Sequence, residues 1–183
     1  MNYNTVSSYQ LLSQGNVTSE SAFPLASGGS TRAVLVLPSI VSSGSIDGRH
    51  FRIRVAFKIT GGTTTNFTPA VYWNSGSNTN LTTFTSDVKL MSLAAFAVNS
   101  TTRMCELDGD LLWDATSNRL LGSYYAISDP VGGNPTYTAR AIMTTSPPTP
   151  STVPAIGFFV TGLFSASNAG NLVTLTDFTL DIV

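Results

Sequence analysis

The sequence predicts a single all-β domain, a jelly-roll-like antiparallel β-sandwich of about eight strands with an extended N-terminal arm. The clearest observation is the segment 49–60, where apolar residues alternate with polar or small ones at strict period two: Phe51, Ile53, Val55, Phe57 and Ile59. This period places one face of a strand in a core and the other in solvent or at a contact. Further β-rich runs follow at the spacing of a sandwich, and no segment has helical periodicity.

Runs rich in β-branched and aromatic residues predict the strands in order along the chain. They are 32–37, 49–60, 67–73, 88–98, 103–113, 119–127, 136–144, 156–165 and 172–183. Clusters of Gly, Asn, Ser, Asp and Pro separate most of them and predict turns. A short helix near Ser86–Ala95 is an alternative for the fourth run. The Pro-rich stretch Ser146–Pro154 predicts an exposed loop, with a proline-motif docking ligand as the alternative.

The first thirty residues differ from the rest of the chain. They contain one charged residue, Glu20, many Ser, Gln, Asn and Gly, and little period-two patterning. A chain of 183 residues has room for one core and an arm. We therefore expect an extended arm over 1–30, held by a neighbouring subunit, and the sandwich over 31–183.

The composition favours a protein that is covered by neighbours. Charged residues make up 10% of the chain, against roughly 25% in typical soluble domains, and 60 positions are Ser, Thr or Asn. Such surfaces lose little hydration when buried, whereas Lys and Glu are depleted at interface cores. This pattern is typical of a subunit of a large assembly; an extracellular β-domain with a Thr- and Ser-rich surface is the alternative.

Other properties argue against several classes of partner. Nine basic and ten acidic residues lack the excess of positive charge that nucleic-acid binding requires. No apolar run approaches the roughly 20 residues of a membrane span.

Cys105 has no second cysteine to pair with in this chain and is expected to be a buried, inert thiol. Residues Met1–Asn4 lack the basic and apolar pattern that begins a signal peptide, so we expect synthesis in a cytoplasm.

Two stripes of charge are the strongest candidate site. His50, Arg52, Arg54 and Lys58 share one face of the predicted strand 49–60, and Glu106, Asp108 and Asp110 share one face of the predicted strand 103–113. Their matching spacing predicts ion pairing between the stripes, either across strands or between subunits. Calcium binding and a glycosidase acid–base pair are weaker alternatives. We expect no catalytic residues, no metal site and no cofactor.

Aromatic residues offer a second candidate site. Tyr72, Trp73, Trp113, Tyr124 and Tyr125 are residue types that stack on sugar rings in carbohydrate-binding sandwiches. Neighbouring residues of a strand point to opposite faces, so each adjacent pair supplies one ring to any platform. We expect at least half of these rings to pack in the core.

Four segments give the chain a resemblance to a known class. They are Gly48–Val55, Leu107–Asp114, Gly157–Ser165 and Leu175–Leu180. In style and strand order, residues 48–183 resemble virion structural proteins of tailed bacteriophages, such as capsid decoration (cement) proteins and minor head or tail β-sandwich proteins. The resemblance supplies no catalytic residues.

The resemblance implies a virion protein on the outside of a phage capsid that stabilises the shell by bridging subunits. Its partners would be the major capsid protein or other virion proteins, and it would form a homo-oligomer, with a trimer favoured. The alternative is a glycan-binding sandwich, for example the receptor-binding head of a phage appendage.

Overall fold

The computed structural model describes residues 2–7, 20–23, 35–36, 48, 50–73, 80–84, 87–114, 116, 119–143 and 157–182. This part of the chain contains twelve strands and no helix. The strands are β1 Asn2–Ser7, β2 Ser21–Ala22, β3 Leu35–Val36, β4 His50–Thr60, β5 Thr65–Trp73, β6 Val88–Ser92, β7 Phe96–Val98, β8 Arg103–Asp114, β9 Arg119–Ser128, β10 Thr136–Met143, β11 Gly157–Phe164 and β12 Leu172–Ile182.

The strands form two sheets in which every described pair is antiparallel. The first sheet has the order β1-β12-β4-β8-β9-β10, and the second has the order β2-β11-β5-β6, with β3 on β11 and β7 on β5. The predicted all-β antiparallel sandwich is confirmed. The β5–β11 pair lies within the stretch of chain that the β4–β12 pair encloses, so the two pairs are nested. Strands β8, β9 and β10 follow one another as a meander beside β4. The jelly-roll subclass stays a prediction.

Most predicted strands form close to their expected bounds, and two differences are informative. The run 88–98 is divided into β6 and β7 at Leu93–Ala95, where the Leu93 N–H donates to the Pro69 carbonyl. The alternative helix over Ser86–Ala95 is wrong, because 88–92 pairs with β5. The predicted loop 146–154 lies outside the described residues.

The inner faces of the two sheets enclose a core rich in aromatic rings. Trp73 of the second sheet stacks on Trp113 of the first, with centroids 5.9 Å apart and ring planes at 6°. The period-two apolar residues of β4 are all fully buried. Gly109 on β8 admits Met91 from the opposite sheet, since a Cβ there would lie 2.5 Å from the Met91 sulfur. The predicted core face of β4 is thus confirmed.

The described parts of residues 1–30 belong to the sheets of this same chain. β1 pairs with β12 and β2 pairs with β11, and Phe23 is 2% exposed within the core. Glu20 accepts hydrogen bonds from the Tyr72 hydroxyl at 2.9 Å and the Thr161 hydroxyl at 2.7 Å, and its other oxygen binds Lys89 at 3.1 Å. The arm and its boundary at residue 30 stay predictions.

Candidate functional site

The predicted charge stripes lie side by side on the outer face of the first sheet. β4 and β8 are neighbours in that sheet, and Arg52 is opposite Asp110 while Arg54 is opposite Asp108. The inward positions between them are buried, so period two directs every charged residue of the stripes outward. The two strands are joined through the second sheet, which explains how residues so distant in sequence become neighbours.

The stripes form a network of ion pairs within the chain. His50 Nδ1 lies 2.6 Å from Asp110 Oδ1, and Arg52 Nε lies 3.3 Å from the other oxygen of the same carboxylate. Arg54 donates two hydrogen bonds to Glu106, at 3.1 and 3.3 Å. The cross-strand form of the predicted ion pairing is confirmed. The role of these residues at an interface between subunits stays a prediction.

Neighbouring strands extend the network. Asp177 of β12 lies 3.6 Å from Arg54 Nε. Hydrogen bonding to Glu106, followed by the charge of the same carboxylate, raises the pKa of the Arg54 guanidinium above its ordinary value. On the other side, Tyr125 of β9 donates a hydrogen bond of 2.9 Å to Asp108, and this bond is the main cause that raises the pKa of the Tyr125 hydroxyl.

Lys58 is the one predicted residue of the stripes that the network leaves out. It is exposed on β4 between Met104 of β8 and Thr174 of β12. It forms no ion pair with any residue of the described ranges, and neither of the positions opposite it carries a carboxylate.

A shallow groove of about 250 Å³ runs over this network. Its lining consists of Arg52, Ile53, Arg54, Asp108, Asp177, Thr179 and Asp181. The guanidinium groups are flanked by carboxylates from β8 on one side and from β12 on the other. The groove is therefore a mixed-charge surface suited to polar contact with a complementary surface.

An apolar strip borders the network and was not predicted from the sequence. It consists of Met104 on β8, Ile127 on β9 and Tyr137 on β10, which are 54%, 40% and 64% exposed. Ile127 lies directly opposite Tyr137 and diagonal to Met104. Each of these residues occupies a position in its strand where the alternation predicts an outward-facing polar side chain, and this was the signal in the sequence. That the three residues lie side by side depends on the pairing of three strands.

The predicted aromatic platform does not form from the five candidate rings. Tyr72, Trp73, Trp113 and Tyr124 are at most 5% exposed, which confirms that most of them pack inside the protein. Tyr125 lies on the outer face of the first sheet, is partly buried and stacks on Tyr137 with centroids 5.9 Å apart. Tyr137, which was not a candidate, supplies the exposed ring of this pair.

Three further features of the described ranges bear on the kind of site that the protein could hold. No group of three or more His, Cys, Asp or Glu side chains there could hold a metal ion. No helix capable of crossing a membrane occurs among the described residues. Cys105 is buried, and burial raises the pKa of its thiol well above the ordinary value. Comparison of the chain with known protein families and with curated proteins gave no match.

Proposed function

We propose that this protein is a non-catalytic structural subunit that binds other proteins through the outer face of its first sheet. The observation that carries the proposal is the combination on one face of an internally paired charge network and an exposed apolar strip. Three of the four large apolar side chains that are exposed in the described ranges belong to this strip. Exposed apolar residues gathered beside polar ones are typical of a protein contact surface.

The pairing of the charges favours contact with protein over contact with solvent alone. An isolated charge is costly to bury, whereas a charge that keeps its partner and its hydrogen bonds is much less so. Arg54 is held by two hydrogen bonds to Glu106 and lies near Asp177. A partner that covers Arg52 and Arg54 therefore buries guanidinium groups that already have carboxylate partners within the chain.

The assembly that we propose is the particle of a tailed bacteriophage, with the protein as a decoration subunit on the capsid surface. The resemblance of residues 48–183 to virion proteins supports this, as does the low content of charged residues. In this role the protein adds buried area across subunit junctions. An interface of about 1,000 Å² per copy, repeated over a shell, would resist internal pressure considerably.

The first experiment measures the protein in purified particles. Mass spectrometry of particles from cells that produce this chain should find it in a copy number stoichiometric with the capsid subunit. Its absence from intact particles would refute the proposed function.

The second experiment tests the outer face. Particles lacking the protein are incubated with purified variants, and bound copies are counted. The charge-reversed Arg52→Glu/Arg54→Glu variant and Ile127→Lys should each bind at least about tenfold more weakly, since each places an unmatched charge in the contact. Asn66→Lys is the matched control, because Asn66 is exposed on the second sheet. Undiminished binding of the first two variants would show that this face is not the contact.

A glycan-binding module is the second candidate function, and the stacked Tyr125–Tyr137 pair favours it. Tyr137 presents an open ring face beside polar groups, as sugar-binding sites do. Binding of the purified chain to a glycan array, lost in Tyr137→Ala and kept in Tyr137→Trp, would support this candidate. A blank array together with stoichiometric particle binding would exclude it.

A further inference from the structure

Strand β10 is the last strand of the first sheet in the part of the chain that the structure describes. Among the described residues it pairs with β9 and with no other strand. It is eight residues long and carries one charged side chain, Arg140. Natural sheets protect their edges with very short strands, prolines, bulges or several charges. The range 136–143 contains no proline, and its ladder with β9 shows no register shift, so this edge is suited to pairing with another strand.

The backbone groups on the open side are those of the odd-numbered residues, from Tyr137 to Met143. The Asp129 N–H donates to the Met104 carbonyl at 3.0 Å, which makes these opposite residues of β9 and β8 a hydrogen-bonded pair. Such pairs alternate along a regular antiparallel ladder, and the β8–β9 and β9–β10 ladders are both regular. The even-numbered residues of β10 therefore bond to β9, and the odd-numbered residues direct their N–H and C=O groups away from it.

We propose that β10 pairs antiparallel with β10 of a second copy of this chain, around a two-fold axis at Ala139. The pairing joins two six-stranded sheets into one continuous sheet across both copies. It goes beyond the proposed function and does not depend on it, because it requires only the edge of the isolated protein.

The sequence of β10 selects this axis over its neighbours. In a two-fold pairing, residues whose backbone groups point out of the sheet edge have to lie opposite each other. These are every second residue of β10, so the axis passes through a residue and not between two residues. An axis at Arg140 would place two guanidinium groups opposite each other, which is destabilising. An axis at Thr138 would pair only residues 136–140 of the strand.

With the axis at Ala139, residues 136–142 of both copies form pairs. Arg140 is then opposite Thr138 of the second copy, and Tyr137 is opposite position 141, which is an alanine. The Tyr137 side chain is 64% exposed in the single chain, so it is available for contact with the second copy. A single pair of strands should bury less than the roughly 1,000 Å² of a stable interface, so we expect a reversible dimer with a dissociation constant on the order of 10 µM.

Disulfide trapping tests the register. In the proposed dimer the two Ala139 Cα atoms lie about 5.5 Å apart, within the range that a disulfide spans. Ala139→Cys should therefore form an oxidised dimer at least tenfold faster than Thr136→Cys, an exposed position on the same strand whose two copies lie far apart. The parent chain is the baseline, since Cys105 is buried. Equal rates for the two variants would overturn the proposal.

Sedimentation measures the association without a cross-link. The parent chain should dimerise with increasing concentration, and Ala139→Lys should weaken the dimer at least tenfold, because two positive charges would meet at the axis. Ser123→Lys is the matched control, since Ser123 is exposed on β9 away from the edge. Circular dichroism confirms that the variants fold.

The outcomes separate this inference from the proposed function. A parent chain that stays monomeric well above the expected dissociation constant overturns the pairing, whether or not the chain binds particles. A trimer that Ala139→Lys leaves intact also overturns it. A dimer that Ala139→Lys disrupts supports the pairing even if the chain is absent from particles, a result that would refute the proposed function alone.

Discussion

Replacing Gly109 with alanine should destabilise the protein, because the Met91 side chain of the opposite sheet fills the space at this residue. A Cβ at Gly109 would lie 2.5 Å from Met91 Sδ and 3.5 Å from Tyr124 Cβ, and Met91 is fully buried on β6 of the opposite sheet. Overpacking a core costs about 1–3 kcal/mol, and the reduced freedom of the unfolded chain returns about 0.4–1 kcal/mol. We expect Gly109→Ala to lower the free energy of unfolding by about 1–2 kcal/mol.

A second substitution shows whether Met91 is the cause. Met91→Ala alone removes buried atoms and leaves a cavity, at a cost of about 2–5 kcal/mol. In the double variant, the new methyl group at position 109 occupies space that the methionine vacated. The double variant should therefore lose at least about 1 kcal/mol less than the sum of the two single losses.

Urea unfolding followed by the fluorescence of the two buried tryptophans measures all three free energies. Gly170→Ala is the control, because a Cβ there would lie 2.7 Å from the Gly62 Cα, far from Met91 along the strands. It should destabilise the protein but add independently to Met91→Ala. Additive losses for Gly109→Ala and Met91→Ala would refute the reasoning, since they would mean that the two side chains do not share one space.

Three further predictions concern single positions. In Gly122→Ala, the new Cβ would overlap the Asp110 carbonyl oxygen, so the backbone has to move. We expect the free energy of unfolding to fall by more than about 3 kcal/mol and the melting temperature to drop. An unchanged melting temperature would contradict this. Burial, and next the Glu20 charge, raise the pKa of Tyr72, so the folded chain keeps the proton that the unfolded chain releases near pH 10. The contribution of Tyr72 protonation to stability is thus fully present below about pH 10 and is lost as the pH rises above it. Tyr72→Phe should therefore show a smaller fall in unfolding free energy between about pH 9 and 11. Arg52 is 60% exposed in its ion pair, so Arg52→Ala should change the unfolding free energy by less than about 1 kcal/mol.

The fold could be predicted because the longest strands carry their own signal. β4 has five buried apolar residues at period two, and its burial follows that pattern along the whole strand. β2 has two residues, Ser21 and Ala22, and no pattern of its own. It is held by tertiary contacts, including a hydrogen bond from the Ala22 N–H to the Leu81 carbonyl, and such contacts between distant segments leave no local periodicity.

The sequence predicted which residues belong to the charge stripes of the candidate site, but it predicted only part of their arrangement. Period two identified both charge stripes and the face that each occupies. Spacing alone did not distinguish pairing across strands from pairing across subunits, because both place opposite charges at the same intervals. The apolar strip was missed because Met104, Ile127 and Tyr137 are single residues on three strands, and their adjacency follows from the register of two ladders.

The charge stripes do not by themselves fix the register in which β4 meets β8. Sliding β8 by two residues would place Asp108 opposite Arg52 and Glu106 opposite Arg54, which is an equally attractive arrangement. The inner face does fix the register, because Gly109 has to lie opposite Ile53 and beneath Met91, and a larger neighbour at that level would clash. Since exposed ion pairs also contribute little to stability, the stripes are required neither for the register nor for the stability of the fold. In the proposed function, their remaining role is the pattern of charge that the outer face presents to a partner, so charge reversal at Arg52 and Arg54 should impair particle binding, and circular dichroism checks that the variant stays folded.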